Sequence, residues 1–227
     1  MTSETLTAEQ AKAKHIHAMG EDLGAVYDAL WQQVAWLHRK WSEYVVLFGT
    51  KESRVTLLNN AAPSFSRILQ DSLWEDVLLN IARLTDPPRS AGKFNLSVQA
   101  LVELVGHAET KALVKAGVAE ALAASEFCRD WRNRHIAHRD LRLALQQGAE
   151  ALKPACLLKV SDALRALEAV LNAVSNHYIE STTFFDFDPG YGGAISLLHV
   201  LDSGLEAQRM RHERLINDPI DHRPRDL

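Results

Sequence analysis

A chain of 227 residues, 47% of them hydrophobic and 24% charged, has the apolar material for an internal core and enough charge to solvate its outside. Its net charge of −4 argues against a surface that coats nucleic acid all round, while leaving room for a local basic cleft. Cys128 and Cys156 are too few for a disulfide framework and fit reduced thiols, and no apolar run is long enough to span a bilayer.

The opening residues, MTSETLTAEQAKAKH, carry no apolar stretch of the secretory kind, so a cytoplasmic protein with no membrane partner is expected. From there the chain reads as helical nearly throughout. Thr7 is placed to cap a helix, and apolar residues recur at three- and four-residue spacings from Leu23 through Val26, Leu30, Val34, Leu37, Trp41 and Val45 to Phe48. Gly20 and Gly24 are points where this segment can bend, and Gly49 is its stop. A second long segment is expected from about Lys51 to Thr85, with Pro63 marking a kink or a fresh start.

TDPPRSAGKFN is a loop, after which Ser97 caps a short helix. A longer helix is expected from about Gly117 through WRNRHIAHRD to near Leu145. QQGAEALKP breaks the pattern before an amphipathic helix from Ser161 to Glu180, striped by Leu164, Leu167, Leu171 and Val174. FFDFDPGYGG reads as a turn-rich loop, followed by helices from Ala194 to Asp202 and from Leu205 to Ile216. No β-branched run alternates, and no Asn-Gly or Asp-Gly hairpin turn occurs. The expectation is an all-α helical bundle of long antiparallel helices, one domain over residues 1–216, with a flexible tail at 217–227.

The chemistry concentrates in WRNRHIAHRD, residues 131–140. On a helix Arg132, His135, Arg139 and Arg142 share one face, with Arg134 and His138 on another. A charged outer face is the plain reading. Solvated faces, however, usually interleave lysine with glutamate, whereas this segment's basic residues are all arginine and histidine. Arginine presents a planar donor fork to phosphate oxygens, and histidine both takes and gives a proton near neutral pH. Those are the functions that cutting RNA without a metal requires.

At these residues the chain resembles the HEPN superfamily, whose signature is an arginine, a polar residue and, a few positions on, a histidine: here Arg132, Asn133 and His138. RNRHIAHRD is similar to the abortive-infection U-type branch of that superfamily. LWEDVLLNIARLTDPP resembles the branch's mid-chain helix and loop, and YGGAISLLHVL its C-terminal segment, so the likeness runs from about Tyr44 to Leu201. The resemblance implies a HEPN-like bundle that forms a homodimer and, in many members, a metal-independent endoribonuclease of a defence or toxin–antitoxin system. It implies His138 as general acid/base, Arg132 as the group holding the scissile phosphate and Asn133 as the residue orienting the site. The two copies' motifs would line a shared cleft.

RNA, a second copy and an antitoxin or defence-system protein are the implied partners, and no cofactor or metal is implied. Arg134, His135 and Arg139 are further candidates for substrate phosphate contacts. The superfamily also holds members that bind without cutting, so a non-cleaving RNA, nucleotide or protein-interaction module is the alternative. Many toxins of the superfamily that are paired with a minimal nucleotidyltransferase carry a tyrosine two places after the histidine, where adenylylation silences them; this chain has Asp140, which speaks against that control. On one straight helix Arg132 and His138 stand roughly 120° apart, so aiming both at one phosphate needs a kink or a partner.

Other signals carry less. HRDLRLAL resembles the kinase catalytic loop but has Leu145 where that loop needs asparagine. His135 with His138, or His15 with His17, lack an identifiable third metal ligand. Cys128 can share a helix face with His135 but has no orienting acid. Asp186 and Asp188 read as turn formers, the five tryptophans as core packing with Trp131 a possible exception, and Arg83 and Asp86 as helix-termination residues.

Overall fold

The computed structural model describes residues 7–90, 92–185 and 192–213; Asp186, Asp188 and the expected tail lie outside them. Thr7 caps the first helix, α1 (Ala8–Met19), through a reciprocal capping box with Gln10. Gly20, at φ +84°, then ends α1 and begins α2 (Glu21–Tyr44), so the expected bend is a full break. α1 folds back on α2, and Gly24 permits the approach: a Cβ there would stand 2.5 Å from the Ile16 Cα and 2.7 Å from the His15 carbonyl oxygen. The hairpin is closed by a buried polar group, in which the His15 imidazole and the Gln32 amide donate to the two oxygens of Asp28 at 2.9 and 2.8 Å.

α2 runs into a π-turn at Val45–Gly49. α3 (Glu52–Ala61) and α4 (Pro63–Leu84) follow, and Pro63 takes the first helical position of α4, where its missing N–H costs nothing. The loop after α4 contains a two-residue antiparallel ladder, β1 (Arg89–Ser90) with β2 (Lys93–Phe94), which the sequence did not announce. Gly92 turns it at φ +76°, and the Arg89 guanidinium lies 4.3 Å over the Phe94 ring. Ser97 accepts from the Gln99 N–H just before the short α5 (Ala100–Leu104), while its hydroxyl donates to the Asp86 carbonyl.

Two expectations need correction here. The single helix from about 117 to 145 is several pieces: α6 (Ala108–Ala124), α7 (Glu126–Trp131), a second π-turn at Arg132–Ile136 and the four-residue α8 (Leu141–Ala144). α6 starts nine residues upstream of the expected Gly117, capped by His107, whose ring nitrogen accepts from the Thr110 N–H. Conversely, the two helices expected after Ala194 are one, α10 (Ala194–Glu213). Gly204 sits within it with open space around it, and the roughly 1 kcal/mol a glycine costs does not break a helix of this length.

α9 (Leu157–Tyr178) supplies Leu164, Leu167, Leu171 and Val174 to the core, as its stripe required. They meet Tyr27, Leu30, Val34 and Leu37 of α2 and Val77, Leu78 and Ile81 of α4. Gly117 brings α6 against α9, since a Cβ there would stand 3.2 Å from Val170. A second, smaller cluster of Leu47, Leu58, Ala194 and Leu198 packs α10 and α3 on the first π-turn. Among the described residues no helix is long and apolar enough to cross a membrane.

The two helical glycines make opposite predictions. Gly24→Ala forces α1 off α2 and lowers stability by about 1–3 kcal/mol, whereas Gly204→Ala raises it by up to about 1 kcal/mol; thermal denaturation reads both.

Candidate functional site

The site begins where α4 stops. The Thr85 hydroxyl donates to the Ile81 carbonyl at 2.9 Å and accepts from both Ser125 and Arg129 at 3.1 Å. Arg129 also donates to the Leu122 carbonyl at 2.7 Å, so this arginine ties α7 to the ends of α4 and α6. One turn on, the Arg132 Nη1 donates to the carboxylate of Asp86, and its Nε donates to the Asn133 side-chain oxygen at 3.0 Å. The guanidinium is therefore held at Nη1 and Nε, and among the described residues no hydrogen bond engages Nη2.

Arg134 turns the other way. It donates to the carbonyls of Glu150 and Ala151 and lies 3.3 Å from Asp130. Asp130 in turn accepts from the Lys153 N–H at 2.8 Å, and the Trp131 indole N–H donates to the Lys153 carbonyl at 2.9 Å. These three anchors hold the 150–153 segment against α7 and the second π-turn.

The π-turn separates the side chains that a regular helix would have aligned. The Ala137 N–H reaches the Arg132 carbonyl at 2.8 Å, five residues back, and the Asp140 N–H reaches the Arg134 carbonyl at 3.0 Å. The four-residue stripe of Arg132, His135, Arg139 and Arg142 consequently does not form. Arg132 faces Asp86; His135 faces Glu75, 3.4 Å away, with its ring edge-on to Trp131 at 5.5 Å. Asn133, His138, Arg139 and Arg142 are exposed. His138 occupies the bend after the π-turn, and among the described residues neither a hydrogen bond nor an ion pair engages its ring. Asp140 caps α8, accepting from the Leu143 N–H at 3.0 Å, rather than pairing with an arginine.

His135 and Arg139 line a cleft of about 540 Å³. Its opposite wall is α4, with Arg67, Asp71 and Glu75; Tyr44, Trp74 and Trp131 supply the apolar lining. The Tyr44 hydroxyl is pushed above its ordinary pKa by burial. The lining rings continue into the core, since Trp74 touches Trp131 edge-on at 6.3 Å and Tyr44 at 5.5 Å, while Tyr44 stacks on Trp41 at 5.3 Å. Trp41 and Trp74 thus pack as expected and Trp131, the possible exception, lines the cleft together with Trp74, whereas Trp36 is exposed rather than in the core.

Asp86 and Glu75 are the partners that sequence reading missed. Asp86 reads in the sequence as a termination residue just after α4 and before Pro87-Pro88, but nothing in the spacing links it to an arginine 46 residues later. The thiol idea falls away: Cys128 is fully buried, and burial pushes its pKa up to about 12. His15 is committed to Asp28 and His17 is exposed, and among the described residues no group of three or more His, Cys, Asp or Glu side chains is placed to hold a metal ion.

Comparison with known proteins shows that residues 20–190 match the family model HEPN_AbiU2, described as AbiU2. No curated protein and no solved structure matches the chain.

Two predictions follow from these placements. Arg134→Ala loosens the 150–153 segment, costing about 1–2 kcal/mol and speeding limited proteolysis between Gln146 and Ala155, while Arg139→Ala leaves both unchanged. Iodoacetamide labels Cys156, which is exposed, in the native protein, and Cys128 only after denaturation, read by mass spectrometry.

Proposed function

The chain belongs to the AbiU2 family and is an abortive-infection-related HEPN module, and from that premise we propose that it is a metal-independent endoribonuclease whose active site is shared by two copies. The observation that carries this reading is a fixed guanidinium at the start of one π-turn and an unengaged imidazole in the bend just after it. Asp86 and Asn133 set the Arg132 fork, and His138 stands in the exposed bend beyond it.

The chemistry is in-line transesterification. An imidazole takes the proton of the ribose 2′-hydroxyl, the 2′-oxygen attacks phosphorus, and the 5′-oxygen leaves with a proton supplied by an imidazolium. The products are a 2′,3′-cyclic phosphate and a 5′-hydroxyl. Arg132 stabilises the charge that builds on the phosphoryl oxygens, using the donors Asp86 and Asn133 leave free. Two proton transfers suit two copies of His138 facing one groove. Asn133 keeps the guanidinium in plane, and His135 and Arg139 take flanking phosphates. Arg134 serves this site by holding the 150–153 segment. The action is placed in the cytoplasm, under the control of an antitoxin or another defence-system protein.

One observation favours a second reading. The Asp86 carboxylate already neutralises Arg132, an arrangement equally suited to a module that binds RNA, a nucleotide or a protein without cutting. A cleavage assay in EDTA on single-stranded and structured RNA separates them. His138→Ala is expected to slow cutting by about 10²–10⁴-fold, and Arg132→Ala to impair cutting far more than thermal stability. Mixing the two variants restores part of the activity, because a heterodimer keeps one intact arginine opposite one intact histidine. RNA binding without cutting by the parent protein overturns the nuclease reading in favour of the binding module.

A further inference from the structure

We propose that the cleft between α4 and the second π-turn is a nucleobase site: it stacks one unpaired base of an RNA strand on the Trp74 and Trp131 indoles and reads that base's amino group through Glu75. The proposal rests on the nuclease reading only for its polymer, RNA, and stands without cleavage.

The volume of about 540 Å³ is that of a small-molecule site, and its lining is part indole, part charge. Trp74 and Trp131 meet at 77°, so a planar ring laid on one indole face abuts the edge of the other. Trp131 is already held by its bond to the Lys153 carbonyl, so ordering it costs nothing on binding. Aromatic faces accept any base, because every base has a π-face. Selection falls to the wall.

There Glu75 has one carboxylate oxygen 3.4 Å from the His135 Nε2, and its side chain is partly exposed. A carboxylate accepts from the amino group of guanine, adenine or cytosine. Uracil places a carbonyl oxygen on each side of its single ring N–H, and both repel a carboxylate. Charges at the mouth complete the match. Arg139 is exposed and engages no ion pair among the described residues, and Arg67 carries its charge beside Asp71 at 2.9 Å. The position suits a substrate subsite, since Arg139 follows His138 directly in the chain: a strand whose phosphate lies at His138 has its neighbouring base within one nucleotide of the cleft.

The test uses 2′-O-methyl tetranucleotides, which bind but cannot be cut, titrated into the full chain with tryptophan fluorescence as the readout. An all-uridine tetramer is compared with tetramers carrying one guanine, adenine or cytosine. The amino-bearing oligonucleotides are expected to quench and to bind about tenfold more tightly than the uridine tetramer. Glu75→Gln, which keeps the shape, brings that ratio to about one or inverts it, because its amide donates to uracil carbonyls. Trp131→Leu weakens all four, and thermal denaturation shows whether that variant folds; Glu75→Gln carries the test if it does not. Absence of quenching, or a base preference untouched by Glu75→Gln, overturns the proposal. Base preference without RNA cleavage leaves the site standing and removes the nuclease. Cutting that depends on His138 but ignores Glu75 does the reverse.

Discussion

Asp86 lies at the point where α4 gives way to its loop, and the carboxylate it offers to Arg132 is the contact on which the rest of the site depends. Both side chains are about four-fifths shielded from water, so each charge would be poorly solvated without the other. The contact is prepared by a set of hydrogen bonds behind it. Thr85, Ser125 and Arg129 lock the end of α4 to α7, and the Ser97 hydroxyl holds the Asp86 carbonyl from the other side. A guanidinium fixed in this way loses its rotamer freedom during folding rather than on meeting substrate, which is the practical meaning of a preorganised electrostatic site.

The second π-turn translates that fixed point into a divided surface. A regular helix would have put four cationic side chains on one stripe. The wide turn sends Arg132 to Asp86, His135 to Glu75 and Trp131, and His138 out into solvent. Of the arginines between 129 and 142, Arg129, Arg132 and Arg134 are engaged within the protomer, and Arg139 and Arg142 are exposed. The motif is therefore less a cationic patch than a short list of placed groups. That accords with a chain whose net charge is −4: affinity for a polyanion has to come from a few directed contacts rather than from a diffuse field.

The aromatic series from Trp41 through Tyr44 and Trp74 to Trp131 links this surface to the core of the bundle. Rings packed against one another in this way resist displacement, so the cleft wall inherits the rigidity of the interior. Trp74 and Trp131 pack inward and also line the cleft, which is why their sequence context reads as core and only their partial exposure shows more.

By itself the sequence determined the helical class, the stripes of α2 and α9, the Pro63 start of α4, the Thr7 cap and the family signature at Arg132, Asn133 and His138. All of these are set by neighbours within a turn or two, through propensity, capping and periodicity. Only the tertiary structure decided that Gly20 would break a helix and Gly204 would not, that the segment after Ser125 would leave the α-helical register, and that Asp86, Glu75 and the 150–153 carbonyls would claim particular arginines and histidines. Gly20 yields because α1 finds a bed on α2 beside Gly24, whereas Gly204 stands in open space and the helix runs on through it. Residues far apart in the chain become partners through packing, a long-range effect that leaves no periodic trace in the order of the amino acids.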